Sequence, residues 1–327
     1  MRTLITGLTG FAGSHLAEYM VREQNATVFG LSLSGECLDD GSPICDGAQV
    51  FASDIRDAEQ TARLVREIRP DRIYHLAALA SVSSSWSRPA ETLTNNMVAQ
   101  LNVLEAAATL DPFPRVLIIG SSDEYGLVEP GELPVREDNP LRPGNPYAVS
   151  KIAQDYLGYQ YFLSRGLPVV RVRPFNHIGP RQRPGFVVPD FTQQIAEAEA
   201  GLREPVMKVG NLTAERDFTD VRDMVRGYYL ALEHGEPGQV YNLGRGEAHS
   251  IKEILDTLLE LSQVRIEVRC DQARMRPSDV PTVVCDASRF CERTGWEPRI
   301  PLNRTLLDVL DYWRMRVKQT LLRGESD

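Results

Sequence analysis

The stretch Thr3-Leu4-Ile5-Thr6-Gly7-Leu8-Thr9-Gly10-Phe11-Ala12-Gly13 decides the fold of this chain. A short apolar strand runs straight into three glycines, and the residues that follow are helical in pattern up to Arg22. Such a turn presents backbone N–H groups and a helix N-terminus to a pyrophosphate. The spacing is G-x-x-G-x-x-G, and a tight turn without a ligand is the alternative explanation. The stretch predicts a dinucleotide site at Gly7, Gly10, Phe11, Ala12 and Gly13.

The first half of the chain alternates short apolar runs with helical patterns. This alternation predicts an α/β fold in which right-handed crossovers build a doubly wound parallel sheet. The expected strands are Thr3–Thr6, Thr27–Leu31, Val50–Ala52, Arg72–Leu76, Arg115–Gly120 and Pro168–Arg173. After about residue 175, prolines and glycines interrupt the periodicity. We therefore expect a dinucleotide-binding domain over 1–175, to which 217–235 returns, and a smaller, mixed C-terminal substrate lobe over 176–327.

Composition excludes several classes of protein. The chain has 327 residues and a net charge of −9, which argues against a nucleic-acid surface. No apolar run is long enough to span a membrane, and the N-terminus does not resemble a signal peptide. The five cysteines form no C-x-x-C pair, and neither histidines nor cysteines show metal-ligand spacing. These features predict a cytoplasmic protein with reduced thiols, no metal, no membrane association and no nucleic-acid partner.

A second motif lies far downstream, in Tyr147-Ala148-Val149-Ser150-Lys151. On a helix the tyrosine and the lysine share one face. A free tyrosine has a pKa of about 10, and a neighbouring ammonium lowers that value enough for acid–base work. Only four of the 36 basic residues are lysines, so arginine is the default cation here. Tyr147 and Lys151 are therefore predicted to be catalytic.

Together the glycine turn and the Tyr147–Lys151 pair resemble the short-chain dehydrogenase/reductase family, and the length resembles its extended branch, which acts on nucleotide sugars. The resemblance implies a Rossmann-type sheet, with Tyr147 and Lys151 also touching the cofactor. It further implies a serine or threonine after the fifth strand that bonds the substrate oxygen. Counting from the strand, that residue is Ser122. Ser121 is the alternative, because the segment before Tyr125-Gly126 is one residue shorter than in many relatives.

The rim of the cofactor site is predicted from the other strand ends. Asp54 and Ile55 follow the third strand, where an acid accepts a hydrogen bond from the adenine amino group. The second strand ends in Ser32, where NAD enzymes carry an acid and NADP enzymes an arginine. The missing acid permits NADP(H) and leaves NAD(H) open. Small residues follow the fourth strand, where the backbone approaches a ligand closely: Leu76, Ala77 and Ala78.

Asp123 and Glu124 point to a second possible function. Sugar-nucleotide 4,6-dehydratases of this family carry an acid and a base in this segment, and these remove water across C5 and C6. Because the segment is one residue shorter, we expect the Glu124 side chain to point in a different direction from its counterpart in the dehydratases. The dehydratase is therefore kept as the alternative function and not as the main one.

The second lobe carries the expected substrate contacts. Three separated cations in an acidic protein suit a diphosphate, which arginine binds bidentately. These cations are Lys208, Arg216 and Arg276. The resemblance adds Asn176 for the diphosphate or sugar, and Asp279 for guanine or ribose.

Four motifs of the second lobe, at 175–180, 185–191, 209–222 and 276–281, are together similar to the GDP-6-deoxy-D-lyxo-4-hexulose reductases, with GDP-mannose 4,6-dehydratases as the nearest relatives. That likeness implies NAD(P)H-dependent reduction of a GDP-linked 4-keto-6-deoxy sugar at C4. The alternatives are the dehydratase, another nucleotide-sugar reductase or epimerase, and a catalytically idle nucleotide sensor. Helical stretches 89–109 and 146–164 carry surplus apolar residues, and in the family the equivalent helices pair across a two-fold axis. A homodimer is therefore expected.

Overall fold

Seven parallel strands form the larger sheet in the part of the chain that the computed structural model describes, residues 1–35, 47–271 and 280–324. The strands are β1 (Arg2–Thr6), β2 (Thr27–Ser32), β3 (Ala48–Ala52), β4 (Arg72–His75), β5 (Arg115–Ile119), β6 (Val169–Pro174) and β10 (Val240–Leu243). Their order in the sheet is β10-β6-β5-β4-β1-β2-β3. The predicted doubly wound sheet is confirmed, and β10 is a strand that the sequence reasoning missed. The order reverses between β1 and β4, where ligands bind in such sheets.

Helices cover both faces of this sheet. One face carries α2 (Ala58–Ile68), α4 (Pro89–Ala107) and α5 (Pro146–Arg165), and the other carries α1 (Phe11–Arg22), α7 (Val221–His234) and α9 (Ser288–Thr294). A short helix, α3 (Val82–Ser87), precedes α4.

The strands supply both cores because side chains alternate along a strand. In β5, Val116 and Ile118 lie in one buried core, while Leu117 lies in the core on the opposite face. Strands buried on both faces are mostly apolar, which is why these segments are mostly apolar in the sequence, although β6 also buries Arg171 and Arg173.

The smaller lobe is mixed, as predicted. A four-stranded sheet consists of β7 (Asn176–Ile178), β9 (Glu215–Asp220), β11 (Ala248–Ser250) and β13 (Thr282–Val283), and β11 is antiparallel to β9. A separate parallel pair consists of β8 (Val206–Val209) and β12 (Glu267–Cys270). The helices of this lobe are α6 (Val187–Glu199), α8 (Ile251–Glu260) and α10 (Leu302–Gly324).

The chain passes between the two lobes more than once. β9 ends at Asp220 in the small sheet, and α7 then packs on α1, β5 and β6 of the larger lobe. Its residues Met224 and Tyr228 are fully buried in the core there. In the described ranges no helix is both long and apolar enough to cross a membrane.

Candidate active site

The glycine turn forms the floor of the crevice at the strand-order reversal. Gly7 has φ +70°, and a Cβ there would lie 2.9 Å from the backbone N and Cα of Ala77. A Cβ on Gly13 would lie 2.2 Å from the carbonyl oxygen of Gly7. Both positions therefore require glycine: Gly7 because of its conformation and its space, and Gly13 because of its space alone.

The first turn of α1 is open to an anion. Gly10 is the N-cap residue, and among the described residues no side chain caps this helix and no acid lies in its first turn. The N–H groups of the first turn, at Phe11, Ala12 and Gly13, lack intrahelical partners and form the positive end of the helix dipole. The turn therefore fits the pyrophosphate of a dinucleotide.

The predicted rim residues surround the carboxyl ends of the strands. Ser32 is the last residue of β2, and its hydroxyl accepts a hydrogen bond from the N–H of Gly35. Asp54 follows β3 and is paired with Arg56, which holds the pKa of the carboxyl below its usual range. Ile55 is half-buried beside it.

The fourth strand end closes the crevice. Leu76, Ala77 and Ala78 follow β4, and all three are half-buried. The N–H of Ala77 donates to the hydroxyl of Thr6 at 3.2 Å. This bond ties the segment after β4 to the residue that precedes the glycine turn.

Tyr147 and Lys151 lie one turn apart on α5, which Asn145 caps by accepting from the N–H of Ala148 at 2.8 Å. Both side chains are buried. Lys151 Nζ lies 5.9 Å from the centroid of the Tyr147 ring. It donates to the carbonyl oxygen of Ile119 at 2.9 Å and to Gln154 Oε1 at 3.0 Å.

Burial dominates the ionisation of this pair. Burial lowers the pKa of Lys151 to about 8, opposed by the carboxylate of Glu124. Burial also raises the pKa of the Tyr147 phenol; Asp123 raises it further, and a hydrogen bond from Ser121 lowers it. At neutral pH the phenol is protonated beside an ammonium, which is the state that a general acid needs.

A serine turn follows β5 and faces this pair. Ser122, Asp123 and Glu124 form one turn of 3-10 helix, capped by Ser121. The hydroxyl of Ser121 accepts from the N–H of Asp123 at 3.1 Å and is hydrogen-bonded to Tyr147. Ser122, the residue predicted from the strand count, is the next residue of the same turn and is buried. The turn therefore brings Ser121 to the tyrosine, with Ser122 next to it in the chain.

Glu124 is held by buried partners below the serine turn. It is fully buried, accepts from the N–H of Ser121 at 2.9 Å, and lies 2.9 Å from Arg173 Nε. Arg173 and Arg171 also pair with Asp155 on α5. Burial and then the Asp155 carboxylate raise the pKa of Glu124 to about 8, against the attraction of Arg173. Glu124 is thus buried beside the ion pairs that Asp155 forms with Arg171 and Arg173.

The predicted substrate residues are spread over the small lobe. Asn176 is exposed on β7 and pairs with Phe218 of β9, the strand that also carries Arg216. Arg216 Nη1 donates to the carbonyl oxygens of Glu215 and Val280 at 2.8 and 2.7 Å. Lys208 lies on β8, in the other sheet, and lines a cavity of about 370 Å³. Arg276 and Asp279 lie outside the described residues.

A group of buried polar residues behind Lys151 escaped the sequence reasoning. Gln154 contacts Lys151, His75 and the backbone of Asn96. All three are buried. The available signal was the position of Gln154 on the same helix face as Tyr147 and Lys151; nothing in the sequence marks His75. No cluster able to hold a metal ion occurs in the described ranges.

Comparison with known proteins places these features in a family context. The family model described as GDP-mannose 4,6 dehydratase matches residues 4–309. The GDP-6-deoxy-D-mannose reductase of Pseudomonas aeruginosa is 35% identical over 97% of this chain and 99% of its own length. The GDP-mannose 4,6-dehydratase of Yersinia enterocolitica is 28% identical over 98% of this chain and 96% of its own length.

Solved structures are similar over the whole chain as well. The structure of RMD from Pseudomonas aeruginosa complexed with NADPH has a TM-score of 0.84 at 34% identity, covering 97% of this chain and 100% of that one. The UDP-glucose 4-epimerase of Thermus thermophilus in complex with NAD has a TM-score of 0.85 at 30% identity, covering 96% and 99%.

Proposed function

The chain belongs to the GDP-mannose 4,6-dehydratase family of extended short-chain dehydrogenases/reductases, and we propose that it reduces the C4 ketone of GDP-4-keto-6-deoxy-D-mannose to give GDP-D-rhamnose. The reductant is NADPH or NADH, and the glycine turn, Ser32, Asp54–Ile55 and residues 76–78 are the residues proposed to hold it. Relatives in this family include both a reductase and dehydratases, so the site must distinguish between the two reactions.

The position of Glu124 is the observation that carries the reductase proposal. Dehydration across C5 and C6 needs an acid and a base at the sugar in addition to the tyrosine. Glu124, a residue of the segment where dehydratases carry these groups, is fully buried against Arg173 and Asp155. Ketone reduction needs one proton donor and one hydride donor, and Tyr147 remains beside the crevice to supply the proton.

The chemistry of the proposed reaction follows from the ionisation of the pair. When bound, NAD(P)H supplies a hydride to C4, and the ketone is reduced to an alcohol. The Tyr147 phenol gives its proton to the C4 oxygen as negative charge develops there. The Lys151 ammonium stabilises the tyrosinate that remains, because an opposite charge close by favours the charged form. Solvent then returns a proton to Tyr147.

A serine hydroxyl of the 3-10 turn orients the ketone in this proposal. Ser121 contacts Tyr147 and is our preferred residue; Ser122, the residue predicted from the strand count, is the alternative. Ser121→Ala and Ser122→Ala form a matched pair of variants. The one that removes the orienting hydroxyl should lose about 10²-fold or more in kcat, the range for one donor at a developing oxyanion.

The small lobe is proposed to bind the GDP portion of the substrate. Residues 1–175 would then carry the cofactor, with 217–235 returning to them, and 176–327 the sugar nucleotide. Asn176 and Arg216 lie on adjacent strands of one sheet, which supports a common ligand for them. Lys208, Arg276 and Asp279 complete the proposed set of substrate residues.

A direct assay tests the reaction. Nicotinamide absorbance should fall only when GDP-4-keto-6-deoxy-D-mannose is supplied, and NMR of the product should show the D-rhamnose configuration at C4. Tyr147→Phe should lower turnover by about 10²-fold or more with little change in KM. Conversion of GDP-mannose to the keto sugar without added reductant would show a dehydratase instead.

A homodimer is part of the proposal. Exposed apolar side chains follow one stripe on each of two adjacent helices, with Met97 and Leu101 on α4 and Val149, Tyr156 and Leu163 on α5. Such a face is typical of an isologous interface.

A cytoplasmic location is also proposed. Cys270, Cys285 and Cys291 are free thiols, as in a reducing compartment.

A further inference from the structure

We propose that Gln154 is a positioning residue that holds the Lys151 ammonium in place beside Tyr147. This inference rests on the proposed function, because it assigns a task to a residue behind the proposed acid. Gln154 is buried and lies on α5, on the same face as Tyr147 and Lys151. It touches neither the crevice floor nor the serine turn in any described hydrogen bond, so its effect must pass through the lysine.

The orientation of the Gln154 amide follows from its partners. Nε2 donates to the backbone carbonyl oxygen of Asn96 at 3.0 Å, and a carbonyl oxygen can only accept. Flipping the amide would place two acceptors against each other. Oε1 must therefore face Lys151 Nζ, 3.0 Å away.

A histidine uses the second proton of the same amide group. His75 Nε2 lies 3.4 Å from Gln154 Nε2, and His75 Nδ1 lies 2.9 Å from the hydroxyl of Thr6. Burial, together with the positive charge of Lys151, lowers the pKa of His75 to about 3. The ring is therefore neutral, accepts at Nε2 and donates from Nδ1. This arrangement links Lys151 to Thr6, the residue before the glycine turn.

The arrangement supports the charged form of the lysine. Lys151 has two oxygen acceptors, the carbonyl of Ile119 and Oε1 of Gln154. The titratable groups that face it are Tyr147 on its own helix, His75 from β4 and Glu124 from the serine turn. Burial alone penalises an ammonium, and hydrogen bonds to charged groups offset that penalty. Removing Oε1 should therefore make Lys151 lose its proton at lower pH.

The direct test is an NMR titration of the lysines. The chain has only four, Lys151, Lys208, Lys252 and Lys318, so ¹³Cε-lysine labelling gives a simple spectrum. Gln154→Met keeps the shape of the side chain but removes the hydrogen-bond acceptor. It should lower the titration midpoint of Lys151 by about 0.5–1.5 pH units, because a hydrogen bond stabilises the charged ammonium more than the neutral amine by about this amount. Gln154→Glu should move it upward, because a carboxylate favours the ammonium.

A matched control separates positioning from general loss of a buried amide. Gln100 on α4 is also fully buried, and its Nε2 donates to the backbone carbonyl oxygen of Gln154. Gln100→Met should lower thermal stability without moving the Lys151 midpoint. An unchanged midpoint in both Gln154 variants, or an equal shift in Gln100→Met, would overturn the proposal.

Kinetics supply the second readout. With the keto sugar and NADPH, Gln154→Met should lower kcat at neutral pH by up to about four-fold, because a midpoint lowered from about 8 leaves a smaller fraction of Lys151 charged. KM should stay within about two-fold. The basic limb of the kcat/KM profile should move to lower pH together with the NMR midpoint. The two failures are distinguishable. If wild type does not reduce the ketone, the proposed function is wrong while the titration still stands. If wild type is active and the midpoint does not move, only the role of Gln154 is wrong.

Discussion

Replacing Glu124 is the perturbation that distinguishes a buried structural carboxyl from a catalytic one. In Glu124→Ala, the buried N–H of Ser121 loses its acceptor at 2.9 Å, whereas Nε of Arg173 keeps Oδ2 of Asp155 at 3.0 Å. One unsatisfied buried donor costs about 1–3 kcal/mol, and this is the expected loss of stability. For a protein of this size that corresponds to a melting temperature lower by about 2–6 °C.

Glu124→Gln should behave differently. Burial and Asp155 raise the pKa of Glu124 to about 8, so the acid is mostly protonated at neutral pH and hydrogen-bonded to Asp155. An amide has nearly the same shape, keeps an acceptor for Ser121 and donates to Asp155 as the protonated acid does. We expect a loss below about 1 kcal/mol, the net value of one ordinary hydrogen bond.

The assay combines thermal unfolding with turnover of the keto sugar, both measured for the two variants. Glu124→Gln should retain kcat within about three-fold, because a group outside the reaction contributes nothing to the transition state. Glu124→Ala should lose activity together with stability, since the carboxyl holds the serine turn. A Gln variant that melts like wild type but loses 10²-fold or more in kcat would refute this reasoning and make Glu124 catalytic.

Stability against pH gives an internal check on the same residue. An exposed glutamic acid has a pKa of 4.5, and the folded value is raised to about 8. Between these values the folded state binds more protons than the unfolded state, so stability should fall as pH rises through this window. The Gln variant should lack that part of the dependence.

Three further outcomes are expected. Gly13→Ala should weaken NADPH binding at least 10-fold in a fluorescence titration, because its Cβ would lie 2.2 Å from the Gly7 carbonyl oxygen, whereas Gly131→Ala, with nothing within 4 Å, should bind as wild type. The kcat/KM of wild type should decline as pH rises through about 8, where Lys151 loses the charge that stabilises the tyrosinate, and a flat profile to higher pH would contradict this. Light scattering should give a dimer mass for wild type and a monomer mass for Tyr156→Glu, since that exposed side chain lies on the apolar stripe; a monomeric wild type would remove the proposed interface.

The larger sheet was predictable because its signals are local. A strand buried on both faces is mostly apolar in sequence, and a glycine turn is visible as three glycines at fixed spacing. The six predicted strands and the helices between them were found with small shifts at their ends. β10 was missed because Val240–Leu243 is short and joins the sheet next to β6, which is distant in sequence.

The apolar stripe on α4 and α5 shows what the helical periodicity of a sequence can and cannot predict. The sequence marked both helices as richer in apolar residues than one covered face needs. Of the apolar residues on these helices, Leu101 and Tyr156 are exposed, whereas Leu104 is fully buried in the core. Periodicity finds the helices, and only the packing of their neighbours decides which faces remain open.

By itself, the sequence determined the strands of the larger sheet, the glycine turn and the Tyr147–Lys151 pair, because each depends on contacts within one turn or one strand. Tertiary structure decided the rest. It withdrew Glu124 to Arg173 and Asp155, brought Ser121 to the tyrosine, and placed Gln154 and His75 behind the lysine. A Glu or a Gln is the same residue in the sequence whether its side chain lines a crevice or lies in a core. Its role depends on partners that are distant in the chain, and no local sequence pattern shows how close those partners come in the fold.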